Sequence, residues 1–273
     1  MSISNIKLQH LFCLLCGCLF SCTGFGQEKY TLDVDFEKSP LGNYDETAIK
    51  QDFDTVKWSI TKNRGSIIVD DTNGKVLQVS YPKGAVGPEQ GGIQFVRPIP
   101  PGIEYYLSYD VYFQEGFDFT KGGKLPGLTS GGAAYTGGKH PDQGEGWSAR
   151  YMWTGEQEPI VYLYYKDMQE KYGEGVYLNA KFETGQWHTI TQHIRLNTPG
   201  KKDALIEVWF DGNKVGGKKK FSLRDENLGL IDSFYFSTFH GGATPDWAPK
   251  NDSFIKIDNI RIYTQSSKKN KKN

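Results

Sequence analysis

The chain predicts an all-β protein: a two-sheet β-sandwich or jelly roll whose one concave face forms a groove. Three observations carry that prediction. Helical periodicity is almost absent, alternating apolar and polar runs recur between clusters of Gly, Pro, Asn and Asp, and 14% of the residues are aromatic. Aromatic side chains suit wide sheets that need bulk to fill the space between them. Residues 30–36 open the series, with Leu32, Val34 and Phe36 on one face and Asp33 and Asp35 on the other. Runs at 75–81, 92–96, 104–113, 147–153 and 160–166 follow, then 187–196, 204–210, 233–239 and 254–263. Asp211-Gly212-Asn213 is a hairpin signal after the 204–210 strand. Roughly ten strands of this kind make two packed sheets. No repeat, heptad or low-complexity linker divides them, so residues 27–265 are expected to form one domain.

The ends read differently. Residues 1–26 have the form of a signal peptide, with Lys7 before an apolar run at 11–20 that is too short to span a bilayer. Small residues Gly24 and Gly26 suit cleavage before Gln27. Alternatively, Leu19-Phe20-Ser21-Cys22 resembles a bacterial lipobox, with a bulky Phe20, and would anchor the protein through a lipid on Cys22. Both imply export, to a secreted, periplasmic or outer-membrane-anchored state. All four cysteines (Cys13, Cys16, Cys18, Cys22) lie in this segment, so the mature domain has no disulfide, thiol nucleophile or cysteine zinc site. Residues 266–273 form a basic tail, expected to be disordered. Removing Lys7 and the four tail lysines from the 32 basic residues leaves 27 against 32 acidic ones. A mildly acidic body without a basic stripe argues against a nucleic-acid partner, and membrane contact is expected only through a lipid on Cys22.

Within the domain, Lys121-Gly122-Gly123-Lys124-Leu125-Pro126-Gly127-Leu128 reads as a stiff turn that presents Lys124. The run 147–153 places Ser148, Arg150 and Met152 on one face. The next run places Tyr162, Tyr164 and Lys166 on one face, and a hairpin symmetric about residue 156 sets Arg150 opposite Tyr162 and Ser148 opposite Tyr164. A buried arginine without a partner is costly, so this face is expected to be wet or ligand-filled. An arginine fork matches a carboxylate, tyrosines exchange protons, and a lysine beside a guanidinium has a depressed pKa. The set fits β-elimination from an acidic polysaccharide. There, neutralising a uronate carboxylate acidifies C5–H while acid and base groups move the protons.

The same residues resemble polysaccharide lyase family 14. Gly122 to Leu128, Ser148-x-Arg150 with Met152-Trp153, Tyr162-x-Tyr164, and Phe236-Ser237-Thr238-Phe239-His240-Gly241-Gly242 match in order and spacing over residues 91–263. That family holds alginate and other polyuronate lyases with a jelly-roll fold, and the family 20 glucuronan lyases are similar. The resemblance implies that Lys124, Arg150, Tyr162 and Tyr164 are catalytic and that Ser148 orients the carboxylate. The family often has an aromatic where His240 stands, which makes His240 a substrate contact or an added base.

Other residues offer weaker roles. Gln94, His140 in the glycine-rich loop at 130–146, and Trp247 are candidate sugar contacts. Asp33, Asp35 and Glu37 could serve a glycoside hydrolase, which needs two carboxylates across the bond, or could join Asp258 and Asn259 around a structural calcium ion. His188 and His193 fall on opposite faces of one strand and read as packing or surface residues. No His/Asp cluster has metal-ligand spacing, so no catalytic metal or cofactor is required. The first rival to a lyase is a groove that holds a glycan without cutting it. The lysine discriminates, because a pure binder has no need of one set beside two tyrosines and an arginine.

Overall fold

The computed structural model describes residues 28–265, so the segment expected to be a signal peptide and the basic tail lie outside the described residues. The strands are β1 (Glu28–Val34), β2 (Gly42–Asn43), β3 (Ser59–Ile60), β4 (Gly65–Asp70), β5 (Gly74–Tyr81), β6 (Ile93–Gly102), β7 (Glu104–Phe113) and β8 (Gly122–Ser130). There follow β9 (Trp147–Thr154), β10 (Pro159–Tyr164), β11 (Glu174–Tyr177), β12 (Trp187–Arg195), β13 (Ala204–Phe210), β14 (Asn213–Phe221), β15 (Ile231–His240) and β16 (Ser253–Gln265). One sheet has the order β14-β13-β12-β7-β16-β5-β4-β2, with β1 also paired to β16. The other runs β11-β10-β9-β8-β15-β6-β3. All the strand pairs are antiparallel.

Alternation explains the packing. From β7, Leu107, Tyr109, Val111 and Phe113 point between the sheets; from β9, Trp147, Ala149, Tyr151 and Trp153 meet them. Phe113, Phe117 and Trp153 form an aromatic knot with ring centroids 5.0–5.6 Å apart. Replacing Trp153 by Ala would cost about 3–5 kcal/mol. Each predicted strand is present, and the two-sheet sandwich agrees with the expected jelly-roll class.

Three elements depart from the sequence expectations. Residues 122–130 are not a turn but β8, a central strand between β9 and β15. Its glycines are there because neighbours come close: a Cβ on Gly123 would lie 2.0 Å from the Trp153 ring. Pro126, which cannot donate to a ladder, sits where the register to both neighbours shifts. A helix, α1 (Glu46–Phe53), begins at Asp45, whose side chain accepts from the Thr47 and Ala48 amides, and buries Ile49 and Phe53. Strand β14 carries Lys214, Lys218, Lys219 and Lys220 on a sheet edge, where lysine guards against further pairing.

Candidate active site

The outward face of the seven-stranded sheet is built from β10, β9, β8, β15 and β6. Tyr162 pairs with Arg150 and Tyr164 with Ser148, the expected register. Lys124 on β8 lies opposite Met152 on one side and Phe239 on the other. Gly127 stands between Arg150 and Tyr235; with no side chain there, the Arg150 guanidinium reaches the Tyr235 ring, 5.0 Å from its centroid.

The bulge at Pro126 interrupts the ladder between Lys124 and Arg150, and the opposite sheet makes good the loss. Gln192, fully buried on β12, accepts from the Leu128 amide at 3.2 Å and donates to the Ala149 carbonyl at 2.9 Å. Tyr109 Oη donates to the Pro126 carbonyl at 3.3 Å. A glutamine among apolar residues on a core-facing position was the signal for this bridge in the sequence.

The electrostatics set this face apart. Lys124 is 8% exposed and Arg150 2% exposed, and among the described residues no carboxylate lies within ion-pairing distance of either. These two side chains are therefore largely shielded from water. Lys124 Nζ lies 4.2 Å above the Tyr162 ring centroid and donates to Met152 Sδ at 2.9 Å, a weak acceptor. Burial, reinforced by the Arg150 charge, pushes the Lys124 amine well below the usual lysine range. Burial and the neighbouring Tyr164 push the Tyr162 phenol up, so it stays protonated. Arg150 Nη1 donates to Ser237 Oγ at 3.0 Å, and its buried Nε has no partner.

A glycine-rich loop covers one end. Ser148 Oγ donates to the Tyr135 carbonyl at 2.7 Å, and Tyr164 Oη accepts from the Gly138 amide at 3.1 Å. His140 Nε2 meets the Lys171 carbonyl at 2.9 Å, and its ring stands edge-on to Tyr164 at 6.4 Å. His140 thus sits on the rim of the loop. Trp247 is half-buried at the other end; a Cβ on Gly241 would fall 3.2 Å from Lys124 Nζ and 3.6 Å from the Trp247 ring.

One expectation needs correction. His240 does not face the groove. It follows Phe239 by one residue and so turns between the sheets, where it packs on Phe117 and edge-on to Tyr81 and Trp153. Its Nε2 is bound to the Asp118 carbonyl at 2.8 Å, its Nδ1 is buried without a partner, and burial lowers its pKa. Of the residues suggested around a calcium ion, Asp35 adds its charge to the buried Asp258, while the others are engaged in hydrogen bonds. Asp33 binds Arg261, Glu37 accepts from the Lys75 amide, and Asp258 accepts from Asn73 and Asn259. Among the described residues no group of three or more His, Cys, Asp or Glu is placed to hold a metal ion. Residues to which the sequence assigned no role but which the fold brings to the site are Met152, Tyr235 and Ser237.

Known proteins resemble the whole described sandwich. The alginate lyase Aly36B is 26% identical with a TM-score of 0.74, covering 88% of this chain and 97% of that one. A mutant of it in complex with alginate tetrasaccharide is 25% identical with a TM-score of 0.75, covering 89% and 98%. An alginate lyase from Aplysia kurodai is 25% identical with a TM-score of 0.75, covering 87% and 100%. Among curated proteins no sequence matches. The family model for polysaccharide lyase 14 matches residues 69–260, well over half of the chain and including β8, β9, β10 and β15. The chain belongs to polysaccharide lyase family 14.

Proposed function

We propose that the chain cleaves a 1,4-linked uronic-acid polymer by β-elimination, with alginate the first candidate because the similar solved structures are alginate lyases. The observation that carries this proposal is the buried Arg150 cation beside the neutral Lys124 amine, with no carboxylate of the protein's own near either among the described residues. Burying uncompensated charge is costly. A uronate carboxylate on Arg150 supplies the missing counter-charge and is itself neutralised, which acidifies the neighbouring C5–H.

The proton transfers follow from the two shifted groups. Lys124, held neutral, uses its lone pair to take the C5 proton. The C5–H electrons form the C4–C5 double bond as the C4–O bond breaks. Tyr162, held protonated, gives its phenol proton to the departing O4. The products are a chain ending in an unsaturated uronate and a chain with a new reducing end, whose anomeric carbon keeps the departed oxygen as a hydroxyl. Tyr164 and Ser148, tied to the covering loop, set its position over the site, and Trp247 offers a ring for sugar stacking at the far end. Export, by cleavage before Gln27 or lipidation of Cys22, would bring the enzyme to an extracellular polymer; mass determination of the mature N-terminus distinguishes the two.

The test is ultraviolet absorbance. Incubation with alginate, polymannuronate, polyguluronate and glucuronan is expected to produce the absorbance of a conjugated C4–C5 double bond on at least one. New reducing ends without that absorbance would mean hydrolysis, and retention on a polymer column without cleavage would mean a binding module.

A further inference from the structure

Arg150 must do more than be present: one particular edge of its guanidinium has to face the substrate. A guanidinium can grip a carboxylate in bidentate fashion through Nη1 and Nη2, or side-on through Nε and Nη2. Here Nη1 is already committed to Ser237 Oγ at 3.0 Å, whereas Nε is buried with no protein partner. The side-on edge is the one left to a ligand.

What commits Nη1 lies one strand further on. Ser237 accepts the Arg150 hydrogen, so its own proton must go elsewhere, and it donates to Gln94 Oε1 at 3.1 Å. Gln94 Oε1 also accepts from Tyr235 Oη, and the Tyr235 ring is the one that lies against the Arg150 guanidinium. One amide oxygen therefore fixes both groups that hold Arg150. Gln94 is 3% exposed, directly opposite Ser237 in the β6–β15 register, and makes no hydrogen bond to Arg150 itself.

We propose that Gln94 is a positioning residue that aims the side-on edge of Arg150 at the substrate carboxylate through Ser237 and Tyr235, rather than a sugar contact. This proposal rests on the lyase function proposed above. Without the Gln94 acceptor, the Ser237 hydroxyl proton can turn toward the guanidinium and the Tyr235 ring loses its tether. Arg150 then loses its fixed plane. Because the Arg150 charge helps to hold Lys124 neutral, a loosened guanidinium also lets the Lys124 pKa rise.

The test is a kinetic cycle on a cleaved polyuronate, with folding checked by circular dichroism. Gln94→Leu is expected to lower kcat/KM by up to roughly 10²-fold, the scale of a misplaced catalytic group, and to move the acid limb of the pH profile upward. In an Arg150→Lys background, which has no side-on edge to aim, Gln94→Leu is expected to bring no further loss. If the loss persists undiminished in that background, Gln94 contacts the sugar directly and the proposal is overturned. Should Gln94→Leu fail to fold, Ser237→Ala enters the same cycle with the same two outcomes. A wild-type enzyme inactive on every polyuronate would refute the proposed function instead, so the two failures are distinguishable.

Discussion

On the outer face of the nine-stranded sheet, Lys256 Nζ lies 3.8 Å above the Tyr112 ring centroid and forms an ion pair with Asp70. On the outer face of the seven-stranded sheet, Lys124 Nζ lies 4.2 Å above the Tyr162 ring centroid and meets only Met152 Sδ. The local devices are alike, a lysine Nζ on a tyrosine face, and the difference is the counter-charge. Burial alone would raise the Asp70 carboxyl, but hydrogen bonds from Lys256 and Thr72 outweigh it and hold that carboxylate ionised. The same contrast recurs elsewhere on the two faces. His193 on the first face lies between Glu104 and Glu207, at 2.7 and 3.4 Å, whereas Arg150 on the second has a hydroxyl and a bare Nε. A satisfied charge holds a sheet together. An unsatisfied one marks where a charged ligand belongs.

The sharpest way to break this comparison is to neutralise each lysine in turn. Lys124→Met is expected to lower kcat by about 10²- to 10⁴-fold, the range for losing a general base, with a thermal midpoint no lower than wild type, because an uncompensated buried amine is removed. A folded Lys124→Met variant that cleaves at the wild-type rate would remove Lys124 from the mechanism. Arg150→Gln is expected to reduce activity strongly and to shift what remains. The Lys124 amine must be neutral to accept a proton, so activity rises with pH through its lowered pKa. Removing the Arg150 cation raises that pKa and moves the acid limb to higher pH, as read from kcat/KM against pH.

On the opposite face the expectation is reversed. Lys256→Met leaves the buried Asp70 carboxylate unpaired and should cost about 2–3 kcal/mol of stability in urea denaturation, with kcat/KM unchanged. The smallest effect concerns Asp258 on the same face, whose carboxyl is pushed up to about 7 by burial, with Asp110 and Asp35 adding to it. A folded-state pKa above the ordinary 3.8 means that the folded protein binds the proton more tightly. Stability is then fully present below 3.8 and declines as pH rises to about 7. Asp258→Asn should flatten that decline in denaturation curves measured across the window.

Much of this was legible in the chain because strands alternate. Ser148, Arg150, Tyr162 and Tyr164 could be put on one face, and in register, from the hairpin alone, since a one-residue slip would have buried the wrong side chains. Lys124 was found for its chemistry but misplaced in a turn: Gly122, Gly123, Pro126 and Gly127 are turn residues by composition. They lie in a strand only because Trp153 crowds Gly123 and a bulge accommodates Pro126. His240 was misjudged by a single position, as Phe239 takes the groove and His240 the core. The helix after Asp45 was signalled by an N-cap and by Ile49 and Phe53 four apart, a pattern too short to stand out among strands. The roles of Ser237 and Tyr235 could not have been read, since they meet Arg150 only through pairings between strands distant in the chain.

The central claim is that Arg150 is buried beside a neutral Lys124 without counter-charge because the substrate carboxylate supplies it. Calorimetric binding to a Tyr162→Phe variant, which lacks the proposed proton donor and should leave the polymer uncut, tests it directly when a polyuronate is compared with its carboxyl-reduced, neutral counterpart. The polyuronate is expected to bind and the neutral polymer to bind far more weakly or not at all. Equal affinity for the two would contradict the account.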